Sequence, residues 1–199
     1  MHHPQEYHWQ LVKLILHYIK GTLSLKMQLY KGNIHSMVAY SDVDCAGCPD
    51  TRRSTTGCCV YLGHNLVSWC AKKQHTVSHS NAKTEYRALA TCVAEICWLR
   101  SVLRELGIHI RLPVELFCDN IAATYLARNP VNHARSKHLE IYFYFVCEWV
   151  YWGDVSIKFI TSEHQIADIF TKGLLSDKFS KLTANLCIHG HTQIAGIKG

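Results

Sequence analysis

The stretch GCCVYLGHNLVSWC, residues 57–70, reads as two strands joined by a tight turn. Apolar, aromatic and β-branched residues run from Gly57 to Leu62 and again from Leu66 to Cys70, and His64 with Asn65 between them is hairpin chemistry. Upstream, Met37 to Ser41 is another short apolar run, so three successive strands in an antiparallel meander are expected. Downstream the pattern changes to a helical period. Tyr86, Leu89, Val93, Ile96, Val102, Leu103 and Leu106 fall on one side of a long helix from about Ser80 to Leu106, ended by Gly107.

Beyond it, Val114 to Cys118 is a strand introduced by Pro113, and Asn120 stands where it can cap a helix from Ile121 to Arg128 that Pro130 terminates. Leu139, Tyr142, Val146 and Trp149 continue a helical face to Gly153, Val155 to Ile160 reads as a strand, and a last helical region opens near Ala167. The expected class is α/β: a mixed five-stranded sheet in the chain order β-β-β-α-β-α-β-α, with helices on both faces. Ahead of this unit, Leu11, Val12, Ile15, Tyr18 and Ile19 mark an amphipathic helix from about Tyr7 to Lys20, and Met27 to Tyr30 reads as a short strand. Turn residues Lys31, Gly32 and Asn33 place a boundary there, giving a helical segment 1–33, a main domain 34–188 and a tail 189–199.

The chain has 199 residues, 48% of them hydrophobic and 18% charged, which suits one globular domain with a short appended element and excludes a disordered composition. A net charge of +6 favours a polyanionic partner, because Lys and Arg neutralise phosphates. Ten cysteines are many, yet the opening MHHPQE has neither the basic start nor the apolar core of a secretion signal. Reduced thiols in an intracellular protein, cytoplasmic or nuclear, are expected. Cys45 and Cys48, followed by Cys58 and Cys59, lack the paired spacing that would complete a zinc site. The most apolar stretch, Ile141 to Trp152, is interrupted by Glu148 and too short to span a bilayer, so no membrane partner is expected.

Four carboxylates stand at the ends of these elements: Asp42 after the first main-domain strand, Glu85 in the first turns of the long helix, Asp119 after the fourth strand and Asp168 near the last helix. Singly, each is well explained as a turn former, a helix-dipole partner or a cap. Together at one sheet edge they would repel unless divalent cations stood among them. Two Mg²⁺ ions bound so can activate a water and stabilise a leaving oxygen in phosphodiester hydrolysis, and Mn²⁺ can substitute.

The words around these residues settle which alternative is preferred. AYSDVD (39–44), DTRRSTTG (50–57), VSW with KKQ (67–69 and 72–74), TEYRALA (84–90), CDN (118–120), RSKHLE (135–140) and ADIFTK (167–172) resemble, in order, the ribonuclease H domain of copia-type retrotransposon Pol polyproteins. The segment from His8 to Thr22 is similar to the one that joins reverse transcriptase to that domain in the same family. The resemblance implies a ribonuclease H-like fold, hydrolysis of the RNA strand of RNA·DNA hybrid, and a reverse transcriptase domain as a partner. The family's acidic set falls on Asp42, Glu85, Asp119 and Asp168, with Asp44 secondary and Asn120 a helix cap. Hybrid is recognised mainly by shape and phosphates, and the candidates for contact are Arg52, Arg53, Lys72, Lys73, Arg135, Lys137 and His138. His164 reads as a surface residue, with a role in proton transfer as its rival reading.

Three departures stand out from the family pattern: Cys45 where Trp is usual, Lys83 beside Glu85 in sequence, and the aromatic run Tyr142 to Cys147. Lys83 is expected on another helix face than Glu85, and the aromatic run is expected to enlarge an apolar surface. The Tyr-x-Asp-Asp word of a polymerase site is absent, and a fragment of a longer polyprotein is the expectation. A metal-dependent endonuclease is favoured over a catalytically inactive remnant that keeps the fold and binds nucleic acid, and over another nuclease on the same fold, because all four carboxylates are present.

Overall fold

The computed structural model describes residues 3–32, 34–77, 80–128 and 137–189. The elements in chain order are α1 (Glu6–Thr22), β1 (Lys26–Met27), β2 (Met37–Asp44), β3 (Thr55–Leu62), β4 (Asn65–Lys73), α2 (Asn81–Glu105), β5 (Val114–Cys118), α3 (Ile121–Arg128), α4 (Lys137–Tyr151), β6 (Val155–Phe159), a 3-10 turn (Ile166–Phe170), α5 (Ser176–Asn185) and β7 (Ile188–His189).

Five strands form one mixed sheet in the order β4-β3-β2-β5-β6. The meander β2-β3-β4 is antiparallel, whereas β5 runs parallel to both β2 and β6. The parallel pairs are joined through helices, and α2, α3 and α4 share one sheet face. There Ala39, Cys58, Val60, Leu116 and Ile157 pack against Tyr86, Leu89, Val93 and Ile96 of α2 and Val146 of α4. The opposite face carries Cys59, Tyr61 and Leu66 under Ile166, Ile169 and Phe170 of the 3-10 turn and Leu186 after α5. Both faces of β3 are thus covered, which explains a strand read from a continuous apolar run rather than from alternation.

The mixed sheet with helices on both faces is as expected, and its boundaries differ in instructive ways. The tight turn is Gly63 with His64, because Gly63 takes a left-handed φ of +59° and leaves Asn65 to pair with Leu62. Strand β2 continues past Ser41 to Asp44, so Asp42 is an interior strand residue paired with Gly57 rather than a terminal turn former. Asp168 lies inside the 3-10 turn, capped by the Gln165 side chain, and not at the start of an α-helix. The short early strand is Lys26–Met27, and it pairs with Ile188–His189, clasping the first segment to the end of the main unit.

Asn120 caps α3 through its side-chain oxygen, which accepts the Ala123 N–H at 2.9 Å. The aromatic run of α4 divides. Val146 and Cys147 are buried and Phe143 stacks on Tyr86, while Ile141, Tyr142 and Tyr144 remain exposed. In α1 no residue is buried, and its contact with the rest of the chain includes an edge-on pairing of Tyr18 with Phe179. Residues 190–199 of the expected tail, and Pro130, lie outside the described residues.

Candidate metal centre

Adjacent strands bring the first two carboxylates together. Ser41 of β2 is level with Cys118 of β5, so Asp42 and Asp119, each one residue further, emerge side by side. The 3-10 turn adds Asp168 from above the sheet. It is fixed there by Gln165, a fully buried side chain whose amide donates to the Ser41 carbonyl at 2.9 Å. One oxygen each from Asp42, Asp119 and Asp168 lie within 4.8 Å of one another. Glu85, in the second turn of α2, joins through Asp119 and Cys118, whose ligand atoms share a second such cluster with it.

Asp42 and Asp168 are 1% exposed and Glu85 is 6% exposed, whereas Asp119 is half-buried. Burial first, then the Asp42 and Asp119 carboxylates, push the Glu85 acid up to about 8. Burial also raises Asp42, against the pull of a Thr171 hydroxyl and the Lys172 ammonium. The Glu85 Oε2 atom is buried with no hydrogen-bond partner among the described residues. An orphaned buried carboxylate oxygen facing other acids is costly in a neutral or anionic setting, and the oxygen-only set of Asp42, Glu85, Asp119 and Asp168 suits a hard divalent cation. The residues present fit such an ion.

Two lysines that sequence reading missed sit in the same cluster. Lys172 donates to Asp42 Oδ1 at 3.1 Å and Asp168 Oδ1 at 2.5 Å, and Lys178 pairs with the other Asp168 oxygen. Burial works against the Lys172 ammonium, but its hydrogen bond to Asp168 and the nearby Asp42 charge hold its pKa above the usual range. Thr171 donates to Asp42 Oδ2, and Ser162 donates to Asp119 Oδ2 at 2.8 Å. The available signal was the word ADIFTK itself: Lys172 follows Asp168 by four residues, within reach once the turn is formed.

Replacing Lys172 with Met removes a cation that competes for the same oxygens, so half-saturation by Mg²⁺ should fall about fivefold, read by calorimetric titration. Unchanged Mg²⁺ affinity would show that the lysine stays out of the ion's way.

The basic candidates are spread more widely. Arg52 and Arg53 are exposed on the loop between β2 and β3, where Arg52 has a left-handed φ of +52°. Lys72 and Lys73 are exposed at the end of β4, and Lys73 reaches Cys48 Sγ at 3.1 Å. With Thr56, Gln74 and Arg87 these lysines line a cleft of about 630 Å³ whose far wall is Ile141 and Tyr142 of α4. Arg135 lies outside the described residues, and of Lys137 and His138 only the backbone, in the first turn of α4, is described. His164 is exposed, its Nδ1 at 2.9 Å from the Thr161 hydroxyl. Lys83 is exposed while Glu85 is buried, as expected for different helix faces.

A retrovirus-related Pol polyprotein from transposon RE1 of Arabidopsis thaliana is 42% identical over 186 residues, 94% of this chain. The chain belongs to the retrovirus-related Pol polyprotein family. A second Arabidopsis Pol polyprotein, from transposon RE2, is 40% identical over the same length, and the chain spans 13% of each of these two relatives. No family model matches. Among solved structures, the N-terminal RNase H domain of a Mycobacterium tuberculosis protein superposes with a TM-score of 0.50 at 12% identity, covering 75% of this Pol-family chain and 96% of that domain. LC11-RNase H1, solved in complex with RNA/DNA hybrid, gives a TM-score of 0.50 at 14% identity, covering 68% of this chain and 94% of its own. The fold of this Pol-family member is thus ribonuclease H-like.

The raised acid gives a pH dependence. Glu85 holds its proton in the native state up to about pH 8, whereas the unfolded chain releases it near the ordinary 4.5. Between those values the native state binds more protons, so stability falls as pH rises. The metal-free protein should therefore lose several degrees of Tm from pH 5 to pH 8.5, and saturating Mg²⁺ should remove most of that loss. A flat Tm in EDTA across this range would contradict the buried-acid account.

Proposed function

We propose that this chain is a metal-dependent endonuclease that hydrolyses the RNA strand of RNA·DNA hybrids. The observation that carries the reading is the convergence of Asp42, Asp119 and Asp168 from three separate elements, with the unpartnered Glu85 oxygen beside them. Carboxylates this close resist ionising together, and a bound divalent cation removes that cost. Membership of a family of Pol polyproteins and a fold shared with an RNase H1 solved on hybrid support it.

In this reading Asp42, Glu85, Asp119 and Asp168 hold two Mg²⁺ ions, which Mn²⁺ can replace. When bound, such ions lower the pKa of a water for attack on the scissile phosphorus and neutralise charge on the leaving oxygen. Gln165 and Gly57 keep the Asp168 turn close to β2, and Thr171 orients the Asp42 carboxylate. Arg52, Arg53, Lys72 and Lys73, joined by Arg135, Lys137 and His138, attract the phosphates of the hybrid without reading its sequence. A polymerase domain of the longer polyprotein supplies further affinity for the same duplex, docked through the 1–33 segment.

Purified protein incubated with end-labelled hybrid and Mg²⁺ or Mn²⁺ should release short RNA products, and should leave single-stranded RNA and duplex DNA intact. Binding without any RNA release in either metal would sink the enzyme reading. That outcome is what the rival reading, an inactive remnant, requires; the lysine pairs on Asp42 and Asp168 are the observation in its favour.

A further inference from the structure

We propose that Glu85, Cys118 and Asp119 form a site for a thiophilic divalent cation of the zinc and cadmium class, overlapping the hard-ion centre through its two carboxylates. It rests on the nuclease reading only in that such a cation would displace Mg²⁺; the binding itself holds whether or not the chain cleaves anything.

One ligand atom from each of the three residues lies within 4.8 Å of the other two. In a filled site Zn–S is ~2.3 Å and Zn–O ~2.0–2.2 Å, so modest rotation of the side chains closes such a cluster around one ion. Cys118 is 0% exposed at the end of β5, where it borders the apolar core, and its sulfur meets the Glu85 and Asp119 oxygens out of contact with solvent. Among the described residues its hydrogen bonds are weak ones, from the Asn120 N–H at 3.4 Å and to the Asn120 carbonyl at 4.0 Å. Glu85 is only 6% exposed, and its Oε2 has no hydrogen-bond partner among the described residues.

The choice of metal follows from the donors. Mg²⁺ takes oxygen ligands and gains nothing from a thiol, whereas zinc and cadmium bind mixed sulfur and oxygen sets well. On binding, the S–H bond of Cys118 and the O–H bond of the Glu85 acid break, both protons pass to the buffer, and sulfur–metal and oxygen–metal bonds form with no change of oxidation state. The bound ion then shares Glu85 and Asp119 with the hard-ion centre, so the two occupancies exclude each other.

Cadmium titration of the full chain tests this. The wild type should bind one Cd²⁺ at least about a hundredfold more tightly than Mg²⁺, with a sulfur-to-metal charge-transfer band in the ultraviolet, and excess Mg²⁺ should slow its binding. Cys118→Ser should lose that band and at least tenfold in Cd²⁺ affinity, with Mg²⁺ affinity within about twofold of wild type. Cys48→Ser, at a partly buried thiol in the loop between β2 and β3, should leave the Cd²⁺ site as it was. If folded Cys118→Ser binds Cd²⁺ with wild-type affinity and band, the proposal is overturned. Should that variant fail to fold, the ¹¹³Cd resonance of the wild type decides: a mixed sulfur and oxygen shell supports the site, and an all-oxygen or all-sulfur shell overturns it. Failure of hybrid cleavage with intact Cys118-dependent Cd²⁺ binding would remove the nuclease reading alone, and the reverse result would remove this one alone.

Discussion

Asp42→Asn is expected to lower cleavage of RNA·DNA hybrid by at least about a thousandfold at saturating Mg²⁺, with the fold retained. The residue sits inside β2, paired with Gly57, and is 1% exposed, so its side chain has no freedom to be replaced by water from the surface. Asn keeps the shape and a hydrogen bond with Thr171 but removes the charge that would hold a cation beside Asp119 and Asp168. The folding cost should be small, because burial already disfavours the Asp42 anion. Circular dichroism should show native content and a Tm within a few degrees of wild type, and hybrid should still bind. Cleavage within tenfold of wild type would remove Asp42 from the centre.

Gly57→Ala should damage both stability and cleavage, although Gly57 carries no chemistry. A Cβ there would stand 2.6 Å from Thr171 Cγ2, 2.9 Å from the Ala167 carbonyl oxygen and 3.1 Å from Phe170 Cβ. The Thr171 methyl can rotate away, but the Ala167 carbonyl belongs to the backbone of the turn that presents Asp168. Overpacking of this kind costs ~1–3 kcal/mol, which for a chain of this size is a Tm loss of several degrees. Displacing the turn also separates Asp168 from Asp42, so Mg²⁺ affinity should fall by tenfold or more at a temperature where the variant is fully folded. A variant with lowered Tm and unaltered Mg²⁺ affinity would show that the turn moves without carrying Asp168 away.

What could be read from the sequence follows the range of the interactions involved. Strands β2 to β6 and the long α2 were legible because apolar period and turn residues are local, and Asp119 was legible because Cys118, Asp119 and Asn120 fall where a strand gives way to a capped helix. The extension of β2 to Asp44 was not, because Asp42 and Asp44 are poor strand formers and are kept extended by pairing with Gly57 and Thr55 on a distant strand. The 3-10 turn was read as a helix start because Asp168 resembles a cap; the real cap, Gln165, owes its position to the Ser41 carbonyl more than a hundred residues away. Lys172 and Lys178 were missed for the same reason. Their partners are assembled by the sheet, and nothing in a period reveals a salt bridge across 130 residues to Asp42.

Strand β4 lies at one edge of the five-stranded sheet, and its last two residues are Lys72 and Lys73, both exposed. An open edge offers unpaired backbone groups to any neighbouring strand, and lysines there keep a second molecule from continuing the sheet. With Val67 and Trp69 also exposed along β4, those two charges act as gatekeepers of solubility as well as candidates for phosphate contact. Neutralising them to test hybrid binding would therefore unmask a self-association surface. A loss of binding in such a variant can be credited to phosphate recognition only if light scattering shows that the protein is still monodisperse.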